Sequence, residues 1–202
     1  MNQVTGCPGS LVRYGKDAQS DGGKKLCDLQ LLPKPCVIYS LGSNGNFEFE
    51  DAMVASTTCD IFTFDCTSNS WPVKLRTDLS PRIKFVPTCI GPADGTDAEG
   101  RPVATLHSLM AQQRHTQIDI LKIDVEGHEH AVFAGMVAEW ISDPQVSMPS
   151  QIAVELHYKK RYYSKAALTL QTFVTLGYVI VAEEPNDTGN CCSEFTLVRA
   201  WC

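Results

Sequence analysis

Short β-rich runs that each hand over to a segment of helical spacing recur along this chain, and no other feature limits its fold so much. CVIYSLG (36–42) leads through GSNG into FEFEDAMVAS, and CDIFTFDC (59–66) and IKFVPTCIG (83–91) follow as further strands. The turn-rich GPADGTDAEGRP precedes a helical VATLHSLMAQQR, and IDILKIDVEG then passes into HAVFAGMVAEWI. QIAVELH (151–157) is followed by AALTLQTFVTLG, a helix that Gly177 should end. YVIVAEE and SEFTLVRA close the chain across PNDTGNCC and should pair antiparallel. Strands that alternate with helices predict a doubly wound, mostly parallel seven-stranded α/β sheet, Rossmann-like, with an antiparallel C-terminal strand. A length of 202 residues suits one core, so residues 1–202 are expected to form a single domain. Within it, an N-terminal segment (1–35) would precede an α/β core (36–202).

Charge and composition narrow the partners. A net charge of −6 argues against nucleic acid, because phosphate binding wants a basic face. The sequence has no apolar run of about eighteen residues, the length that a spanning helix needs. MNQVTGCPGSLVRYGKDAQSDGGKK is too polar for a signal peptide. Nine cysteines show no zinc spacing. Cys36, Cys59, Cys66 and Cys89 lie in or beside apolar strands and read as small core residues. Cys7, Cys27, Cys191, Cys192 and Cys202 read as including disulfide partners in an oxidising compartment. With the sequon Asn186-Asp187-Thr188, this places a secretory lumen or the extracellular space ahead of the cytoplasm.

Ligands of open α/β sheets bind beyond the carboxyl ends of the strands. The first core strand ends in Gly42-Ser43-Asn44-Gly45, which reads either as a loop that lets a ligand approach the backbone or as a plain tight turn. Asp65 ends the next strand, where an acid can grip the two hydroxyls of a ribose or simply cap a turn. Together they point to a nucleoside-containing cofactor. The dinucleotide pattern GxGxxG is missing, which counts against NAD and leaves S-adenosylmethionine.

Alternate residues of a strand face opposite ways, so Lys122, Asp124 and Glu126 share a face while Leu121, Ile123 and Val125 share the other. QIAVELH repeats the arrangement, with Ala153, Glu155 and His157 against Ile152, Val154 and Leu156. If these strands are neighbours, Asp124, Glu126, Glu155 and His157 converge at the ligand edge, with Lys122 deeper and partly neutralising them. A purely structural charge network would show the same alternation.

ILKIDVEGHE closely resembles the LKIDVEGxE signature of the FkbM-type methyltransferases, which use S-adenosylmethionine and mostly methylate oxygen, often on sugars. VIYSLGSNGNFEFE and DGGKKLCD resemble a eukaryotic branch of methyltransferase-like proteins, and the resemblance runs from about Asp21 to the C-terminus. It implies that Gly42, Ser43 and Gly45 line the methionine portion of the cofactor, Asp65 holds the ribose, Cys89 or Ile90 lies near the adenine, and Asp124 stands at the methyl-transfer centre. These enzymes usually carry an acid where this chain has Ser40; Asp21 is a candidate substitute.

O-methylation needs in-line positioning and a route for the acceptor proton. His157, with Glu155 close in sequence, is the first choice of base. His128 and His130 are second choices, and they read equally as a solvated helix start with Glu129 near its positive end. Magnesium is a possible but not favoured cofactor, since Lys122 offsets the carboxylates, and no metal ligand is assigned. HYKKRYY (157–163) reads either as a stacking surface for a carbohydrate or as a solvated loop. The expected activity is methyl transfer to a hydroxyl of a sugar or other small molecule. A non-catalytic module of the same fold and an NAD-linked oxidoreductase are the alternatives. The number of subunits is open.

Overall fold

The computed structural model describes residues 6–7, 9–15, 22–67, 80–158, 163–186 and 191–200. Asp21, Cys202, most of HYKKRYY and the last two positions of the sequon lie outside them. Seven strands form the main sheet: β3 (Val37–Leu41), β4 (Asp60–Phe64), β5 (Ile83–Val86), β9 (Ile120–Ile123), β10 (Gln151–His157), β11 (Tyr178–Pro185) and β12 (Cys192–Arg199). Their order is β11-β12-β10-β9-β3-β4-β5. Strands β10, β9, β3, β4 and β5 run parallel, and β12 is antiparallel to both of its neighbours. This is the doubly wound, mostly parallel sheet with an antiparallel C-terminal strand that the alternation of elements predicts.

The expected strand 83–91 is broken. Pro87 has no N–H for the ladder, and after it Cys89–Ile90 (β6) joins a separate small sheet with β7 (Gly95–Thr96) and β8 (Pro102–Ala104). The latter also delays the following helix, α2, to Leu106–Gln113, where the Thr105 hydroxyl accepts from the Ser108 N–H as N-cap. The other helices are α1 (Glu48–Ser56), α3 (Glu129–Ser142) and α4 (Tyr163–Thr175). Gly177 follows α4 at φ 88°.

Helices α2, α3 and α4 cover one face of the sheet, over Tyr39, Leu41, Phe62, Phe64, Leu121, Ile123, Val154 and Leu197. The opposite face carries Ile38, Ile61, Ile120 and Ala153 beneath Leu26, Leu29, Phe49 and Met53. Part of that cover comes from the N-terminal segment, which folds into an antiparallel hairpin of β1 (Leu11–Tyr14) and β2 (Lys24–Cys27). The hairpin is tied to the sheet by the Thr196 hydroxyl, which donates to the Lys25 carbonyl at 2.7 Å, and by the Cys27 N–H, which donates to the Gln151 side chain at 3.0 Å. No helix among the described residues is long and apolar enough to cross a membrane.

The cysteines correct an expectation. Cys36, Cys59, Cys66 and Cys89 are not free core thiols, because the structure pairs Cys36 with Cys59 and Cys66 with Cys89, alongside Cys7–Cys27 and Cys191–Cys192. Parallel pairing of β3 with β4 sets Cys36 and Cys59 at matching strand starts, 4.6 Å apart between Cα atoms. That spacing suits a disulfide.

Candidate active site

Gly42 leaves β3 at φ 77°, and a Cβ there would overlap the Asp124 carbonyl oxygen. Only glycine lets the two strand ends come this close. Asn44 and Gly45 also take positive φ, at 43° and 84°. Asp65 holds the resulting loop. One carboxylate oxygen accepts from the Ser43 and Asn44 N–H groups at 2.8 and 2.7 Å, and the other from the Thr67 N–H and hydroxyl at 2.9 and 2.7 Å. Burial pushes this carboxyl up, but the Thr67, Asn44 and Ser43 hydrogen bonds outweigh it and keep the group below the usual carboxylate range.

Ser40 is fully buried, and the nearby acid comes from helix α1 rather than from its own strand. Glu50 lies beside Ser40, within 3.4 Å of the Thr63 hydroxyl. Burial raises its carboxyl, opposed by the charge of Lys122. Lys122 itself donates to the Gly42 carbonyl. Cys89 begins β6 in its disulfide with Cys66, directly after Asp65, and Ile90 packs half-buried on the helix-covered core.

Strands β9 and β10 are parallel neighbours with Lys122 beside Ala153, so the predicted faces are the observed ones. Asp124 follows β9, anchored by its N–H to the Leu41 carbonyl at 3.0 Å. Its carboxylate accepts from Lys24 of the hairpin at 3.2 Å. Burial works against ionisation here, and the charges of Lys122 and Lys24 overcome it, so the group is held below its ordinary range. Glu155 is buried and accepts from the Asn186 side chain at 2.9 Å. Burial, reinforced by Asp124, raises it. Glu194 of β12 stands opposite Glu155 and also accepts from Lys24. Burial pushes Glu194 up to about 7 against the pull of Lys24, with Glu155 and Asp124 adding to the rise.

At the edge of this group, His157 Nδ1 lies 3.0 Å from a Glu129 carboxylate oxygen, and Nε2 lies 3.5 Å from Glu126. Glu129 is 0% exposed, and the same oxygen accepts from the Val125 and Gly127 N–H groups at 3.0 and 3.1 Å. It is therefore not the solvated helix-start residue that the sequence suggested. The turn at Glu126 (φ 54°) and Gly127 folds the chain back over it. Burial alone would lower the His157 pKa, but Glu129, then Glu155 and Asp124, raise it to about 9. The imidazole is thus a cation at neutral pH in the free protein, not a group poised near 7 as expected. Glu126 does not join the buried set, because its side chain is 82% exposed on the open side of His157. His130 is held between the Thr169 hydroxyl and the His157 carbonyl, and His128 is exposed at the start of α3.

Three participants escaped the sequence reading. Glu129 is the final residue of the quoted signature, so the motif carried its signal. Glu194 is one of several polar residues of β12, so nothing along the strand singled it out. Lys24 lies in the DGGKKLCD segment that carries part of the resemblance, which gave it no role. It is 1% exposed, and its charge stays high because Asp124 and Glu194 outweigh the cost of burial. Oxygens of Asp124, Glu155 and Glu194 lie within 4.8 Å of one another, as do ligand atoms of Asp124, Glu126 and His157. Either set has donors suited to a divalent cation, but in the first the Lys24 ammonium already neutralises two carboxylates.

A family model described as a methyltransferase domain matches residues 6–199. No curated protein matches the sequence. Among solved structures, the methyltransferase FkbM from Methylobacillus flagellatus aligns with a TM-score of 0.54 and 13% identity, over 83% of this chain and 45% of that one. TrmK of M. capricolum, solved with S-adenosylhomocysteine, gives 0.51 and 12%, over 84% and 65%. The Methanococcus jannaschii fibrillarin, a pre-rRNA processing protein, gives 0.56 and 11%, over 98% and 84%. The chain thus spans less than two thirds of the length of the first two.

Proposed function

The chain belongs to this methyltransferase-domain family, and from that premise we propose that it transfers the methyl group of S-adenosylmethionine to a hydroxyl of a sugar or other small molecule. When bound, that cofactor supplies an electrophilic methyl group on a sulfonium, whose departure leaves a neutral thioether. The loop Gly42-Ser43-Asn44-Gly45, which turns at positive φ beside Asp124, suits the methionine portion. Asp65 is the ribose ligand, with the Ser43 and Thr67 hydroxyls as the donors that ribose hydroxyls would displace. Cys89 and Ile90 border the adenine. Asp124, kept ionised, faces the positive charge of the sulfonium. Magnesium is not needed for this reading.

The observation that carries the catalytic role is the buried Glu129 carboxylate on His157 Nδ1. It fixes the tautomer and orientation of the ring and leaves Nε2 on the open side, the logic of a base held by a second acid. Nε2 takes the acceptor hydroxyl proton. Asp124 is one of the charges that hold His157 at about 9, so a positive charge held against Asp124 would offset it and would ease proton loss from Nε2. Glu155 adds to the field that holds His157.

The acceptor is not set by the fold, and one fold relative processes pre-rRNA. The net charge of −6 and the carboxylate-rich centre favour an uncharged or carbohydrate acceptor over a phosphate backbone. The four disulfides support a secretory or extracellular setting. The test is calorimetric titration with S-adenosylhomocysteine and NAD, each with and without magnesium. Saturable binding of S-adenosylhomocysteine alone supports the reading and opens a screen of hydroxyl acceptors. Folded protein that binds neither would instead favour a non-catalytic module, the reading to which Ser40 lends weight.

A further inference from the structure

We infer that the Cys66–Cys89 disulfide is a reducible clamp on the adenosine end of the site, so that cofactor affinity follows its oxidation state; this rests on the cofactor reading above. Cys66 directly follows Asp65, whose carboxylate holds the Ser43 and Asn44 amides. Cys89 opens β6 beside Ile90. The S–S bond therefore joins the ribose side of the site to its adenine side.

Among the described residues few other contacts do so, one being the charge of Arg101, next to β8, which acts on Asp65. Strand β5 stops at Val86, and the Asp65 N–H donates to the Val86 carbonyl at 3.3 Å. Beyond Pro87, β6 is only two residues long and pairs with β8, not with the main sheet. Once the disulfide opens, Cys89 and β6 can shift against Asp65 as far as the core packing of Ile90 and the pairing with β8 allow, while the sheet stays folded.

Accessibility separates this bridge from Cys7–Cys27 and Cys36–Cys59. Cys7, Cys27, Cys36 and Cys59 are all buried, at 5% exposure or less. Cys66 and Cys89 are both half-buried, whereas Cys191–Cys192 has one half-buried and one buried member. An incoming thiolate needs access to sulfur, so the clamp opens before the core bridges. In that step one thiolate of a dithiol attacks a sulfur, a mixed disulfide forms, and the second thiol displaces it. Cys66 and Cys89 end as thiols, and the reductant, having given up two electrons and two protons, ends as a disulfide.

Cys36–Cys59 provides an internal control, since it joins the same strand β4 to the sheet at the opposite, ligand-free end. S-adenosylhomocysteine would be titrated into oxidised wild type, the double variant C66S/C89S and the double variant C36S/C59S. If opening the clamp leaves about a tenth of the molecules competent, the apparent Kd of C66S/C89S rises about tenfold. C36S/C59S should lose melting temperature but keep its Kd within about twofold. Wild type treated briefly with a dithiol, then alkylated and peptide-mapped, should label Cys66 and Cys89 before Cys7, Cys27, Cys36 and Cys59, and affinity should fall in step with the labelling of Cys66 and Cys89. Binding by C66S/C89S equal to wild type, or labelling at Cys66 and Cys89 without loss of affinity, would overturn the clamp alone. Wild type that fails to bind at all would overturn the cofactor reading and the clamp with it.

Discussion

Burial would by itself strip His157 of its proton, and the Glu129 carboxylate is the first of the charges that prevent it. Replacing Glu129 with Gln keeps the shape and removes the charge. The imidazole titration, followed by NMR, should then move from about 9 towards the unperturbed 6.5. An unchanged titration would show that Glu155 and Asp124 hold the proton instead. His157→Ala should retain S-adenosylhomocysteine binding and lower turnover by roughly 10²–10⁴-fold, the usual worth of a general base. Wild-type rates in that variant would remove the base assignment. Gly42→Ala should destabilise by on the order of 3 kcal/mol in urea unfolding, because the new Cβ meets the Asp124 carbonyl at a φ that suits glycine. At this scale Gly42, Asp65, Asp124, Glu155 and His157 were legible from residue type and position. The protonation of His157 was not, since it depends on which oxygen the tertiary turn at Glu126–Gly127 brings to Nδ1.

Among the elements, the N-terminal hairpin differs most from expectation. A polar, glycine-rich segment gives weak periodicity, so nothing marked β2 as a cover for the sheet or Lys24 as the cation between Asp124 and Glu194. A buried ammonium flanked by two carboxylates is costly to break from one side. Lys24→Met should therefore destabilise by roughly 3–5 kcal/mol at pH 7. The loss should shrink at pH 5, where Glu194, pushed up to about 7, is protonated in the folded protein. Urea titrations at the two pH values provide the check, and equal losses would mean that packing, not charge, is what Lys24 supplies. Strand β6 is the other departure: Pro87 was visible in the sequence, but the strand it diverted Cys89 to lies in the small sheet.

For the whole molecule, the titrations combine into a pH profile of stability. Groups with raised folded pKa values stabilise fully below their unfolded values and lose that contribution as pH rises through the folded ones. For Glu194 this window runs from 4.5 to about 7, and for His157 from 6.5 to about 9. Asp65, Asp124 and Glu129 are lowered, so their contribution is present above their unfolded values of 3.8 to 4.5 and is lost as pH falls. Stability should peak at about pH 4.5–5 and decline on both sides. Melting temperatures from pH 4 to 10 would show it, and a maximum above pH 8 would contradict the charge arrangement.

The main sheet was legible along the chain, because strand and helix periodicities are local and each run carries its own. Alternation likewise fixes a shared face for Asp124, Glu155 and His157 once their strands are neighbours. Only the tertiary structure decided that Glu129 turns inward, that Lys24 and Glu194 complete the acidic centre, and that the strand cysteines are paired. Each of these depends on residues far apart in the chain meeting in space. Pair energies of that kind leave no periodic trace along the chain.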